Sequence, residues 1–224
     1  MALNFLQISL TNKCNFDCHT CPMGRWRNQV PRFPINNGEL IPFLEREVNP
    51  KEWVVELTGG EPSLYEGLDE LLQWLSSHGY YTLVKTNGSG NIRHYQNVKI
   101  CAAFHRLNEP PKNFDEYLII DKLQREEKET YCKEHGIAYK VIGLDKENFD
   151  NSTHGFGKIA FVNAAGHCCR CQAVPPTEAL LEDESDDMNR INHRELIYGN
   201  PCPSCKAALD AWKFLPEGIR LLSR

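Results

Sequence analysis

A chain of 224 residues, 41% hydrophobic and 25% charged, has the make-up of an ordinary globular protein with one substantial core and room for a small appendage. Its formal net charge of −5 argues against a protein that works by coating nucleic acid or anionic membrane. No apolar stretch approaches the ~20 residues of a membrane helix, and the opening MALNFLQISLTNKC lacks the basic and apolar regions of a signal peptide, so the reducing cytoplasm is the expected compartment.

In chain order, FLQIS (5–9) reads as a short strand leading into the cysteine-rich loop CNFDCHTC. NNGELIPFLEREV contains a helix, with Pro42 limiting where it begins. WVVELTGG is a β-rich run ending in paired glycines. EGLDELLQWLSSHGY has apolar residues at helical spacing and Gly79 as its C-cap. YYTLVKTNG, VKICAAFH and EYLIID read as three strands; the charged helix KLQREEKETYCKEHG and the strand IAYKVIG follow. Strand–helix alternation is the signature of parallel βαβ units. The expected fold is therefore α/β, a partial (β/α)6 TIM-like barrel over residues 1–145, with the chemistry at the C-terminal ends of its strands. After Asp145 the texture changes to loops, a strand at KIAFVNAAG, the acidic run EDESDD and a short amphipathic tail helix. Residues 146–224 are expected to form a small cysteine-rich module.

Ten cysteines in a reducing compartment point to metal or redox work rather than disulfides. Cys101 and Cys132 stand alone in apolar or helical surroundings and read as buried small hydrophobes. Cys14, Cys18 and Cys21 are spaced C-x3-C-x2-C. Three thiolates can hold three irons of a cubane cluster and leave the fourth iron open. A structural zinc site wants four ligands, and His19 is the candidate fourth. Arg25, Arg27 and Arg32, mixed with Trp26 and Phe33, form either a clamp for an anionic or aromatic group or a covering surface loop.

C-x3-C-x2-C after a first strand, with Gly59-Gly60-Glu61-Pro62 after a second, resembles the radical S-adenosylmethionine (radical SAM) superfamily. The resemblance implies that Cys14, Cys18 and Cys21 hold a 4Fe–4S cluster whose open iron is chelated by S-adenosylmethionine. It implies that Gly59, Gly60 and Glu61 meet the methionine amino group. An electron from the cluster would cleave the sulfonium, and the resulting 5′-deoxyadenosyl radical would abstract a substrate hydrogen. Thr20 departs from the family, where an aromatic residue commonly precedes the third cysteine; adenine contact there rests on the backbone. Asn87 and His105 end two strands where cofactor contacts can form, or are simply a turn Asn and a strand-end His.

The rear cysteines form two C-x2-C pairs, Cys168/Cys171 and Cys202/Cys205. Alone, they suit tetrahedral zinc. FVNAAGHCCRC followed by NPCPSC also resembles the SPASM or twitch modules of radical SAM proteins, which bind auxiliary iron–sulfur clusters. On that template Cys171, Cys202 and Cys205 are ligands of one auxiliary 4Fe–4S cluster, with Cys168 chosen as the fourth over Cys169, His193 or substrate. The whole then resembles a radical SAM enzyme acting on a peptide, amino sugar or cofactor precursor, fed by a reductant such as flavodoxin or ferredoxin. Two alternatives stand beside it: an enzyme like 7-carboxy-7-deazaguanine synthase or a glycyl-radical activase with a structural zinc, and a non-enzymatic zinc-binding interaction protein.

Overall fold

The computed structural model describes residues 3–18, 21, 27–31, 34–105, 110–119, 124–141, 159–166 and 168–169. The strands before residue 145 fall where the sequence places them: β1 (Asn4–Ser9), β2 (Trp53–Thr58), β3 (Tyr81–Thr86), β4 (Val98–Ala103), β5 (Glu116–Ile119) and β6 (Tyr139–Val141). Each pairs with its sequence neighbour in parallel. That sequential winding is the βα progression of an open barrel. All six residues of β2 are buried, as expected for a strand covered on both faces.

Two further strands extend the sheet beyond residue 145. β7 (Ile159–Val162) lies parallel beside β1, and β8 (Cys168–Cys169) runs antiparallel to β7. The order is β6-β5-β4-β3-β2-β1-β7-β8, so β1 is an interior strand. KIAFVNAAG thus contains a strand, as its residues suggest, flanked by the first strand of the chain on one side and by β8 on the other. Residues 171–224, including Cys171, His193, Cys202 and Cys205, lie outside the described residues.

Helices α1 (Asn37–Glu47), α2 (Leu68–Ser77) and α3 (Arg125–Glu134) complete the described elements. The Asn36 side chain accepts from the Glu39 N–H and starts α1. Pro42 lies inside this helix rather than at its start, and removes the N–H that would have reached the Gly38 carbonyl. Gly79 (φ 76°) and Gly136 (φ 63°) close α2 and α3 in the left-handed region. One face of the sheet (Leu6, Ile8, Val55, Leu57, Val84, Ile100, Ala160, Val162) packs on Leu40, Phe43 and Leu44 of α1 and Leu71, Leu72 and Leu75 of α2. Cys132 packs with Ala102, Phe104, Tyr117 and Ile119. No described helix is long and apolar enough to cross a membrane.

The other face carries charge. Gln7, Glu56, Leu83 and Lys99 lie in register across β1 to β4, and Lys85, Cys101 and Glu116 across β3 to β5. Glu56 is fully buried; it accepts from the Gln7 amide and lies 2.9 Å from the Lys85 ammonium. Glu116 is shared by Lys99 (3.1 Å) and Lys140 (3.2 Å). Burial, and then Glu116, pushes the Cys101 thiol up to about 12, so it stays protonated and inert. Lys85→Met should destabilise the fold by about 3–5 kcal/mol in chemical denaturation, because it leaves the Glu56 charge buried without its cation. Adding Glu56→Gln should recover much of that loss; no recovery in the double variant would show that the ion pair is not the cause.

Candidate functional site

The site is built where β1 and β2 end side by side. Ser9 pairs with Thr58, and the Leu10 N–H donates to the Thr58 carbonyl at 2.9 Å. Past these ends the two loops stay joined. The Gly60 N–H donates to the Thr11 carbonyl (2.6 Å) and the Glu61 N–H to the Lys13 carbonyl (2.7 Å). The approach is too close for side chains. A Cβ on Gly59 (φ 135°) would lie 2.4 Å from the Thr11 oxygen, and one on Gly60 would lie 2.1 Å from the Lys13 oxygen. The glycine pair therefore lets the second loop lie against the cysteine loop, one residue before Cys14.

Glu61 has no exposed surface. Its Oε1 accepts from the Ser63 N–H (3.0 Å) and the Thr86 hydroxyl (2.6 Å), and its Oε2 from the Asn87 N–H (2.6 Å). The sequence suggested a carboxylate facing a ligand ammonium. In the structure the carboxylate works internally, capping the short turn Pro62–Leu64 and tying the end of β3 to the end of β2.

The cysteine loop is pinned by asparagines that sequence reasoning passed over. Asn28 adopts φ 64°, accepts from the Cys14 N–H at 2.7 Å and donates its own N–H to the Asn12 carbonyl at 2.8 Å. Asn12 is buried and donates its side-chain amide to the Gln29 carbonyl (2.9 Å). Asn15 exchanges hydrogen bonds with Ser89 and accepts from Asn87 (2.9 Å), which links the loop to the segment after β3. Arg27 pairs with Asp17 within this loop. Arg25, Trp26, Arg32 and Phe33 lie outside the described residues, as do His19 and Thr20.

Cys14, Cys18 and Cys21 are half-buried free thiols. The Cys18 thiol is pushed up by burial first, then by the neighbouring Cys21 and Cys14, with Arg27 opposing. Asn87 and His105, both at the expected strand ends, reach these cysteines. The Asn87 Nδ2 lies 3.7 Å from the Cys14 Sγ, and the His105 ring nitrogens lie 3.7 and 3.9 Å from the Cys18 Sγ. Among the described residues no group of three or more His, Cys, Asp or Glu side chains closes around a single metal ion. His19, the candidate fourth zinc ligand, lies outside the described residues. Three thiolates are a donor set that suits a cubane cluster, in which each takes a different iron.

No protein-family model matches the chain. It is 31% identical over 97 residues to the GTP 3′,8-cyclase of Helicobacter pylori (strain ATCC 700392 / 26695), covering 38% of this chain and 28% of that protein. It is 33% identical over 94 residues to the 7-carboxy-7-deazaguanine synthase of Clostridium acetobutylicum, covering 41% of each. The chain thus spans well under half the length of these curated relatives. Its fold matches that of Streptococcus suis SuiB bound to S-adenosylmethionine, with TM-score 0.53 and 14% identity over 96% of this chain and 67% of that one. SuiB bound to its precursor peptide SuiA gives TM-score 0.53 at 12% identity, over 84% of this chain and 65% of that one. In its cysteine and glycine motifs and its parallel sheet the chain is similar to these proteins, which are radical SAM enzymes.

Proposed function

We propose that this chain is a radical SAM enzyme in which Cys14, Cys18 and Cys21 hold a 4Fe–4S cluster and the neighbouring Gly59–Glu61 loop forms one wall of the S-adenosylmethionine site. The observation that carries this reading is the direct joining of the two loops, with Gly60 and Glu61 donating to the backbone three residues and one residue before the first cysteine. Held by Cys14, Cys18 and Cys21, such a cluster would supply the one electron that cleaves the sulfonium of S-adenosylmethionine, with methionine leaving and the 5′-deoxyadenosyl radical taking a hydrogen atom from the substrate. The protein's part is orientation and exclusion of solvent. Asn28 and Asn12 fix the first cysteine's backbone, Glu61 fixes the second loop, and Asn87 and His105 close the rim from β3 and β4. Thr20, before the third cysteine, is proposed as a backbone contact to adenine.

The rear cysteines Cys168, Cys171, Cys202 and Cys205 are proposed to hold one auxiliary 4Fe–4S cluster, for electron transfer or support, with zinc as the alternative occupant. The position of Cys168 and Cys169 in a strand at the edge of the main sheet supports a rear module docked close to the barrel. The substrate is proposed to be a small molecule or peptide, and the reductant a flavodoxin or ferredoxin. SuiB's bound precursor peptide favours the peptide; the match to the synthase favours a heterocyclic precursor.

Metal counting tests both halves. Anaerobic reconstitution should load about seven to eight irons per chain with two clusters. Cys202→Ala with Cys205→Ala should lower this to about four, and adding Cys14→Ala and Cys18→Ala should remove iron altogether. Iron near four in the native chain, with stoichiometric zinc, would discard the auxiliary cluster and keep the front one.

A further inference from the structure

We propose that Asn87 and His105 are positioning residues that donate N–H···S hydrogen bonds to the cluster cysteines and thereby raise the cluster's reduction potential. The proposal rests on the cluster reading above and adds to it: these side chains act on the iron–sulfur group itself, rather than only on its ligand.

Asn87 follows β3 directly, and its backbone N–H is held at 2.6 Å by the buried Glu61 carboxylate. Its Oδ1 accepts from the Ser89 N–H at 2.9 Å, which fixes which end of the amide is the donor. The NH2 group then points to the cysteine loop with two protons to give. One partner is the Asn15 Oδ1 at 2.9 Å, and the other is the Cys14 Sγ at 3.7 Å, a hydrogen-bonding separation for the larger sulfur atom. Cys14 already accepts from the Phe16 N–H at 3.5 Å. His105 follows β4 and approaches from the neighbouring strand end. Its ring meets the Phe16 ring edge-on, with centroids 5.7 Å apart, and presents its nitrogens at 3.7 and 3.9 Å to the Cys18 Sγ. Two adjacent strands thus each bring one nitrogen-bearing side chain to a different cysteine of the same loop, and a turn of the His105 ring would set one N–H on the Cys18 sulfur.

Reduction adds negative charge that spreads onto the thiolate sulfurs. A donor already aimed at such a sulfur favours the reduced form over the oxidised form, so hydrogen bonds to the sulfurs are among the levers that set these potentials. A group that acts only by shaping the loop, or only by touching S-adenosylmethionine, would not move the potential of the cluster measured without S-adenosylmethionine.

The test is a mediated redox titration of the reconstituted full-length chain, without S-adenosylmethionine, followed by electron paramagnetic resonance. The variants are Asn87→Asp, which keeps the acceptor to Ser89, loses the donor and adds a negative charge, and His105→Phe, which keeps the ring against Phe16 and loses the donor without adding charge, so that the His105 pair isolates the hydrogen bond. Each should load native amounts of iron at Cys14, Cys18 and Cys21, yet be about tenfold harder to reduce, a shift of ~59 mV for one electron. His105→Gln, which restores an N–H, should recover most of that shift. An unchanged potential with intact iron, or no difference between His105→Phe and His105→Gln, would overturn the proposal. So would weaker binding of S-adenosylmethionine at unchanged potential, which would make the two residues cofactor contacts only. If Asn87→Asp fails to load iron, the His105 pair decides the matter. Failure of the native chain to assemble a cluster would instead remove the cluster reading itself.

Discussion

Gly60→Ala should abolish radical formation while leaving a folded protein. The new methyl group would lie 2.1 Å from the Lys13 carbonyl oxygen, 2.6 Å from its carbon and 2.8 Å from the Asn12 carbon. Ordinary contact is about 3.5 Å, and all three atoms are backbone, so no rotamer change relieves the clash. The loops must part by ~1 Å or more, which costs about 3 kcal/mol as an overpacking term and breaks the bonds from the Gly60 and Glu61 N–H groups. Because the displaced segment ends at Cys14, the loss should appear first in iron loading and then, by at least ~100-fold, in 5′-deoxyadenosine formation. Gly79→Ala is the control. It suffers the left-handed strain of φ 76° but meets nothing within 4 Å, so it should cost about 1 kcal/mol and leave iron content unchanged. Equal effects from the two substitutions would mean that the loop contact is not what the glycine pair serves.

Glu61→Ala should be the most destabilising single change in the site. It strands the Ser63 N–H, the Thr86 hydroxyl and the Asn87 N–H together in a buried setting. At about 1–3 kcal/mol for each buried donor left unsatisfied, with partial relaxation, a loss of about 4 kcal/mol is expected in chemical denaturation. Glu61→Gln keeps one acceptor oxygen and should lose about half as much. If the carboxylate served only to bind ligand, both variants would retain native stability and lose only affinity for S-adenosylmethionine.

The elements before residue 145 were largely legible because their signals are local. VVELT and YTLVK carry β-branched residues and run into glycine-bearing loops, and α2 and α3 end at glycines that do take positive φ. The two motifs were legible because each is contiguous. What could not be read was long-range. Nothing in KIAFVNAAG says that it pairs with β1 as well as with Cys168–Cys169 just after it, since parallel pairing is set by the whole sheet. Asn12, Asn15 and Asn28 look like ordinary loop residues, and only the fold shows that they brace the loop around Cys14. Glu61 is legible as part of the glycine motif, but contiguity with the glycines hides its contacts with Thr86 and Asn87, some 25 residues on. The charged inner face had a signal that went unused. Glu56, Lys85, Lys99 and Lys140 interrupt otherwise apolar strands, and a charge in the middle of a buried parallel strand calls for a partner on the next one.

The most direct test is to incubate the anaerobically reconstituted chain with S-adenosylmethionine and dithionite and measure 5′-deoxyadenosine. A radical SAM site at Cys14, Cys18 and Cys21 should yield 5′-deoxyadenosine and methionine in equal amounts, with no product from the Cys14→Ala, Cys18→Ala, Cys21→Ala variant. A colourless, zinc-loaded protein that leaves S-adenosylmethionine intact under a strong reductant would contradict it.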